Sequence, residues 1–159
     1  MNKPAYYIIK AAAEKDFEAA KSLFRQYQQE LGEDLCFQRF DEELLQLPAM
    51  YGGEDGCLLL AVSGNDYAGC VAIRRKDENT CEMKRLFVKP SYKNQGLGRE
   101  LAEQIIKEAM LMQYKKMILD TLIRLTPALH LYYNLGFKET FAYYTNPLEG
   151  VIYLEKDLL

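Results

Sequence analysis

The hydrophobic pattern changes period at one point in the chain. From Cys81 to Val88 apolar and charged residues interleave as in a strand, Pro90 ends the run, and a short glycine loop follows, Lys93-Asn94-Gln95-Gly96-Leu97-Gly98. Beyond Arg99 the apolar residues Leu101, Ala102, Ile105, Ile106, Ala109 and Met110 recur at steps of three and four, the spacing of a half-buried helix. The pattern predicts a strand feeding a helix through glycines.

The same periodicities extend to the rest of the chain. They predict a first strand over 5–12, then a helix over 17–31 capped by Asp16, buried along Phe17, Ala20, Leu23, Phe24, Tyr27 and Leu31, and ended by Gly32. A short helix over 40–47 is stopped by Pro48. Strands over 57–62 and 67–75 flank the turn Ser63-Gly64-Asn65-Asp66, and a polar loop over 76–80 leads into the strand at Cys81. A strand over 116–121, a helix from Pro127 through Leu135 capped by Gly136, and strands over 137–144 and 151–158 complete one mixed α/β domain over 1–159. The strand, helix, strand passage over 81–121 implies one parallel pair and a right-handed crossover.

Gly96 and Gly98 lack Cβ atoms, so the backbone can turn tightly there and a ligand can approach amides that have no intrahelical partner. Those N–H groups and the helix dipole attract an anion, which points to the phosphate or pyrophosphate of a nucleotide-bearing cofactor. An ordinary strand-to-helix turn satisfies the same two glycines. Lys84, Arg85, Lys89, Lys93 and Arg99 bracket the loop, where an anionic cofactor needs them; a solvated strand end is the alternative.

At 159 residues and 49% hydrophobic content, the chain is long enough for one domain with a sizeable core. A net charge of −3 argues against a general nucleic-acid binder. The polar start, Met1 to Pro4, carries no signal peptide, and no run approaches the ~20 residues of a membrane span, so a cytoplasmic protein is expected. Cys36, Cys57, Cys70 and Cys81 lack ligand spacing and read as buried thiols in a reducing compartment. Without a second histidine beside His130 there is no metal site, and Gly98 is followed by Arg and Glu, which excludes a Walker loop.

About thirty residues downstream of the glycine loop, Ala128-Leu129-His130-Leu131-Tyr132-Tyr133-Asn134-Leu135-Gly136-Phe137 resembles the A-x-x-L/F-Y-x-x-x-G-F signature of the Gcn5-related N-acetyltransferase (GNAT) superfamily. The strand, loop and helix resemble that family's R/Q-x-x-G-x-G/A pyrophosphate loop, in the same order. Lys93 departs from the pattern, keeping the charge of the usual Arg but losing its planar fork. The resemblance implies the α/β GNAT fold, a mixed central sheet of about six or seven strands flanked by about four helices. It also implies acetyl transfer from acetyl-CoA to the primary amine of a small molecule, by direct attack in a ternary complex. The segment 143–150, with Asn-Pro and Gly as turn formers, resembles a tail found in bacterial-type members.

Carried over residue by residue, the resemblance places the cofactor's pyrophosphate on Lys93, Asn94, Gln95, Gly96, Leu97, Gly98 and Arg99. Its pantetheine arm runs along Leu86, Phe87 and Val88, where the strand over 116–121 splays away and the arm bonds like an added strand. Tyr132 is the expected acid for the leaving thiolate, with simple packing as the alternative, and Tyr133, rotated by ~100°, faces elsewhere. Glu82 is the candidate general base; the alternatives are an exposed carboxylate paired with Lys84, or loss of the acceptor's proton to bulk water. His130 points away from that face.

The implied acceptor pocket gathers Tyr27, Glu30, Phe37, Tyr143, Tyr144 and Asn146, a tyrosine-rich wall with an acidic residue that suits a small amine or amino acid, although 12 tyrosines also furnish a core by default. Transfer to a protein N-terminus or lysine, and an acyl-CoA-binding module without catalysis, remain alternatives. No membrane or nucleic-acid partner is expected, and a homodimer through the C-terminal strand stays open.

Overall fold

The computed structural model describes residues 6–159, and every side chain among them except that of Phe37. Strands β1 (Tyr7–Lys10), β2 (Cys57–Ser63), β3 (Asp66–Arg75) and β4 (Thr80–Val88) lie side by side and antiparallel. β5 (Lys116–Leu122) runs parallel to β4, and the final strand, β7 (Val151–Asp157), sits antiparallel between β5 and the two-residue β6 (Lys138–Glu139). The result is a seven-stranded sheet of order β1-β2-β3-β4-β5-β7-β6.

Both faces of this sheet are covered, which is why β2 reads as a continuous apolar run rather than an alternating one. On one face, α1 (Glu14–Leu31), α2 (Phe40–Leu45) and α3 (Leu47–Tyr51) bury Phe17, Phe24, Phe40 and Tyr51 against Leu58, Leu60, Cys70 and Ala72. On the other, α4 (Leu97–Leu111) and α5 (Thr126–Asn134) bury Leu101, Ile105 and Tyr132 against Leu59, Val71, Met117 and Leu119.

Several elements differ from their sequence expectation, each for a local reason. Asp16 does not cap α1 from outside: the helix starts two residues earlier, and the Asp16 carboxylate reaches back to accept from the Ala12 and Ala13 amides, both at 3.1 Å. Pro48 opens α3 rather than stopping the helix before it, because a first-turn proline loses no helical hydrogen bond. The first strand is shorter than 5–12, and Ala5 lies outside the described residues. The strand over 137–144 shrinks to β6, since Tyr143 and Tyr144 turn inward toward polar partners instead of extending the ladder. Cys36 is exposed, whereas Cys57, Cys70 and Cys81 are buried free thiols as read. No helix among the described residues is long and apolar enough to cross a membrane.

Two features of β4 open the sheet. Its pairing with β5 stops after Thr80↔Lys116, Cys81↔Met117 and Glu82↔Ile118, although both strands continue, so the later part of β4 has one edge without a strand partner. A bulge follows: Ala72 faces Lys84 and Cys70 faces Phe87, which leaves Arg85 and Leu86 opposite Val71 alone. Arg85 absorbs the bulge with φ 61°, a left-handed conformation that only the surrounding contacts hold in a non-glycine residue. Without the extra residue Lys84 and Phe87 would face opposite ways; with it both point to the α1–α3 side.

Candidate active site

An outer cleft of about 400 Å³ runs from the glycine loop along β4. It is lined by Leu86, Phe87, Val88, Lys93, Asn94, Gly96, Leu97 and Gly98, together with Tyr27 and Glu30 from α1. An inner chamber of about 80 Å³ shares its Tyr27, Leu86 and Ala128 wall and lies in the gap between β4 and β5. Met83, Leu119 and Tyr132 bound the inner chamber from one side of the sheet, and Lys84, Arg85, Asp120, Gln38 and Asn146 contribute its polar lining.

The outer cleft fits the nucleotide end of coenzyme A. Gly96 is the N-cap of α4 at φ 81°, no side chain caps the helix, and its first amides are left for a ligand. The Gln95 side-chain oxygen is buried without a hydrogen-bond partner among the described residues. Of the expected contacts, Gln95 and Arg99 do not line the cleft. Lys93, which lines the cleft, is paired with Glu30, and Arg99 with Glu103 at 2.8 Å; exposed pairs of this kind are worth about 0–1 kcal/mol, so Lys93 can be exchanged onto a phosphate.

The basic cluster read around the loop is divided by the fold. Lys89 binds Asp66 at 2.7 Å on the far side of the β2–β3 turn, while Lys84 and Arg85 are buried on β4 against the α1–α3 side. Arg85 donates two hydrogen bonds to Glu43, at 2.9 and 3.0 Å, and a third to the Gln38 oxygen at 2.8 Å, with its guanidinium over the rings of Tyr27 and Phe40. Gln38 passes the chain on, donating to the Tyr144 hydroxyl at 2.8 Å. Tyr144 donates in turn to Asp120, whose same oxygen accepts from Asn146 Nδ2 at 2.7 Å. The segment 140–150 is thus fastened across the inner chamber, helped by Tyr153, which packs on Tyr143 and Tyr144 and donates to the Tyr144 carbonyl at 2.8 Å.

Glu82 is neither exposed nor paired with Lys84. It is 2% exposed, accepts from Arg74 at 2.9 Å and from the Tyr143 hydroxyl at 2.8 Å, and does not line either chamber. Burial alone would raise its pKa, but Lys84, Arg74 and Tyr143 together outweigh it and hold the carboxyl below the usual range, which makes a weak base. Tyr132 is buried and reaches the inner chamber, with its ring edge-on to Phe137; Tyr133 is exposed and bonds Glu139. Burial first, then Tyr27 and Asp120, push the Tyr132 phenol above the ordinary tyrosine value, so it stays protonated at neutral pH. His130 is exposed, as expected. Phe37 lies outside the described side chains, and Tyr144 does not line the chamber but bonds Gln38, Asp120 and Asn146 of its wall.

Sequence reasoning missed Asp120, Gln38 and the true place of Lys84. An acidic residue inside the apolar strand KMILDTL was the available signal for Asp120; nothing in the α1–α2 connection marked Gln38. Burial, then Arg85, lower Lys84 to about 8 despite the pull of Glu82. Its unfolded value is 10.5, so between these limits the unfolded chain holds a proton that the fold has released, and this group makes the protein more stable as pH rises from about 8 to 10.5. Denaturant unfolding at pH 8 and pH 10 should show wild type gaining stability relative to Lys84→Met.

A cleft that leads from an uncapped helix start down an unpaired strand edge to a buried phenol has the layout of an acyl-CoA-dependent acyltransferase. The acetyltransferase (GNAT) family profile matches residues 17–137, and the chain belongs to that family. It is 39% identical over 161 residues to an uncharacterized N-acetyltransferase of Schizosaccharomyces pombe, covering 99% of both chains, so such relatives are not confined to bacteria. It is 32% identical over 98 residues to the N-acetylaspartate synthetase of Danio rerio, a match spanning 60% of this chain and 35% of that protein. Among solved structures, a GNAT-family acetyltransferase from Staphylococcus aureus Mu50 superposes with a TM-score of 0.82 at 21% identity, covering 98% of this chain and 100% of the other. The PaiA N-acetyltransferase of Thermoplasma acidophilum, solved with coenzyme A, gives 0.73 at 18% identity over 96% and 99%. The fold is the GNAT fold, and the protein is an acetyl-CoA-dependent acetyltransferase.

Proposed function

We propose that this enzyme transfers the acetyl group of acetyl-CoA to the primary amine of a small molecule held in the inner chamber. The observation that carries the reading is the position of that chamber, in the β4–β5 gap with Tyr132 on one side and Asp120 on the other. Acetyl-CoA supplies an activated thioester; the residues of the chain supply position and protons. Asp120 attracts the amine end of the acceptor and takes its proton, directly or through water, as the N–C bond forms. Tyr132 donates its phenolic proton to the departing thiolate as the C–S bond breaks, a role its raised pKa suits. Glu82 holds Tyr143 and Arg74 in place instead of acting as the base.

A small acceptor is favoured over a protein because Asn146 and Leu148 wall the chamber, and the segment that carries them is tied down by Asp120 and Tyr153. The name of the N-acetylaspartate synthetase relatives points the same way. The whole domain over 1–159 is taken to act as one catalytic unit.

Two measurements test the reading. Acetyl-CoA titrated calorimetrically into wild type should bind near the micromolar range, about −8 kcal/mol, and Gly96→Val should weaken it at least about tenfold, because the side chain is strained at φ 81° and projects into the cleft. Thiol release on adding a small amine should follow. Tight binding in Gly96→Val would remove the loop assignment, and acetylation of peptide N-termini alone would replace the acceptor class.

A further inference from the structure

Lys84 is the charged group of the inner chamber that neither the transfer reaction nor an ion pair uses. It lines the inner chamber but not the outer cleft, and it is 7% exposed. The bulge in β4 turns it toward the α1–α3 side together with Phe87. Its two cationic neighbours are matched: Arg74 pairs with Glu82 and Arg85 with Glu43. The Lys84 ammonium makes no hydrogen bond or ion pair with any described residue, although the carboxylates of Glu82 and Glu43 act on it from a distance. Asp120, the remaining carboxylate of the chamber, is held by Tyr144 and Asn146.

A buried ammonium without a partner is costly, and proteins keep one where a ligand supplies the counter-charge. The anion is not the cofactor's pyrophosphate, whose cradle lies at Gly96 in the outer cleft. It must enter the inner chamber with the acceptor. Building on the proposed acetyl transfer, we infer that Lys84 binds a carboxylate carried by the acceptor itself, so that the substrate is an amino acid or closely related amino-carboxylate, with its amine toward Asp120 and its carboxylate on Lys84.

The chamber of about 80 Å³ suits a molecule that carries both charges on a short frame. The arrangement also sorts acceptors. A simple amine would leave the Lys84 ammonium unpaired beside it, and a peptide N-terminus carries no carboxylate next to its amine, so both are penalised by the same residue.

The test compares each L-amino acid with its own carboxamide as acceptor, by thiol release from acetyl-CoA at pH 7. Wild type should favour at least one acid over its amide by about 10- to 100-fold in kcat/KM, the worth of a hydrogen bond to a charged group. In Lys84→Met that ratio should collapse to near one, while Lys84→Arg, which keeps the charge, should retain most of it. Equal use of acid and amide by wild type overturns the inference, as does a ratio that persists in Lys84→Met, the result expected if Lys84 serves only the reacting carbonyl or the fold. If Lys84→Met does not fold, the wild-type ratio and the arginine variant decide. Efficient acetylation of amines without a carboxylate sinks this inference and leaves acetyl transfer standing. Binding of acetyl-CoA without thiol release to any amine sinks both.

Discussion

Replacing Tyr132 by Phe should lower kcat by about 100-fold or more, the usual contribution of a positioned general acid, while the affinity for acetyl-CoA changes little. The aromatic ring packs with Phe137 and closes the α4–α5 side of the core, and phenylalanine keeps that packing. Only the hydroxyl is lost, and it makes no hydrogen bond to a described residue, so its removal leaves no partner stranded. A structural role would therefore show almost no effect. A role in which the hydroxyl only binds the cofactor would weaken binding and turnover together, which stopped-flow thiol release and calorimetry separate. Tyr133→Phe is the matched control: that hydroxyl is outside the site, bonded to Glu139, and activity should not move. Burial raises the Tyr132 pKa, so its proton is retained through neutral pH and the rate should not fall from loss of this group until strongly alkaline conditions.

How much of this site was legible depended on which forces placed each residue. The glycine loop and Tyr132 were readable because local chemistry dictates them: an αL turn at Gly96 demands glycine, and the helix period separates Tyr132 from Tyr133. The parallel pairing of β4 and β5 also followed from chain order, since a helix had to cross between them. Lys84 and Arg85 were misplaced because a strand read at period two assigns charges to a solvated face. Here α1 and α2 cover that face, and a one-residue bulge changes the parity beyond Lys84. Glu82 was read as the candidate base from its position on the strand, and its ionisation is set by burial and by Lys84, Arg74 and Tyr143, the last brought to it by a long-range contact that the sequence does not show. Tyr144 and Asn146, read together as part of an acceptor pocket, do meet in the fold, but on Asp120, which was passed over as part of a strand.

Glu43→Gln should be the most destabilising conservative change in the polar layer, at about 3–5 kcal/mol. Glu43 and Arg85 are 2% and 5% exposed and joined by two parallel hydrogen bonds, and removing one charge strands the other where water cannot reach it. For a domain of this size about 2–4 °C is lost per kcal/mol, so the melting temperature should drop by roughly 6–20 °C. Glu103→Gln, which breaks the exposed pair with Arg99, should cost about 0.5 kcal/mol or less. The pH dependence has a definite sign. Burial raises the Glu43 pKa, but the hydrogen bonds and charge of Arg85, helped by Lys84, outweigh it and hold the carboxyl below its usual value, so its stabilisation is complete above the ordinary glutamate range and fades as pH falls below it. The gap between wild type and Glu43→Gln should narrow accordingly in acid. Replacing both partners by apolar residues, Glu43→Leu with Arg85→Met, should recover much of the stability because no buried charge is left alone. It should not recover activity. Arg85 orients Gln38, and through Gln38 and Tyr144 it fixes Asp120, so a stable double variant with a slack inner chamber would separate what this ion pair does for the fold from what it does for the acceptor.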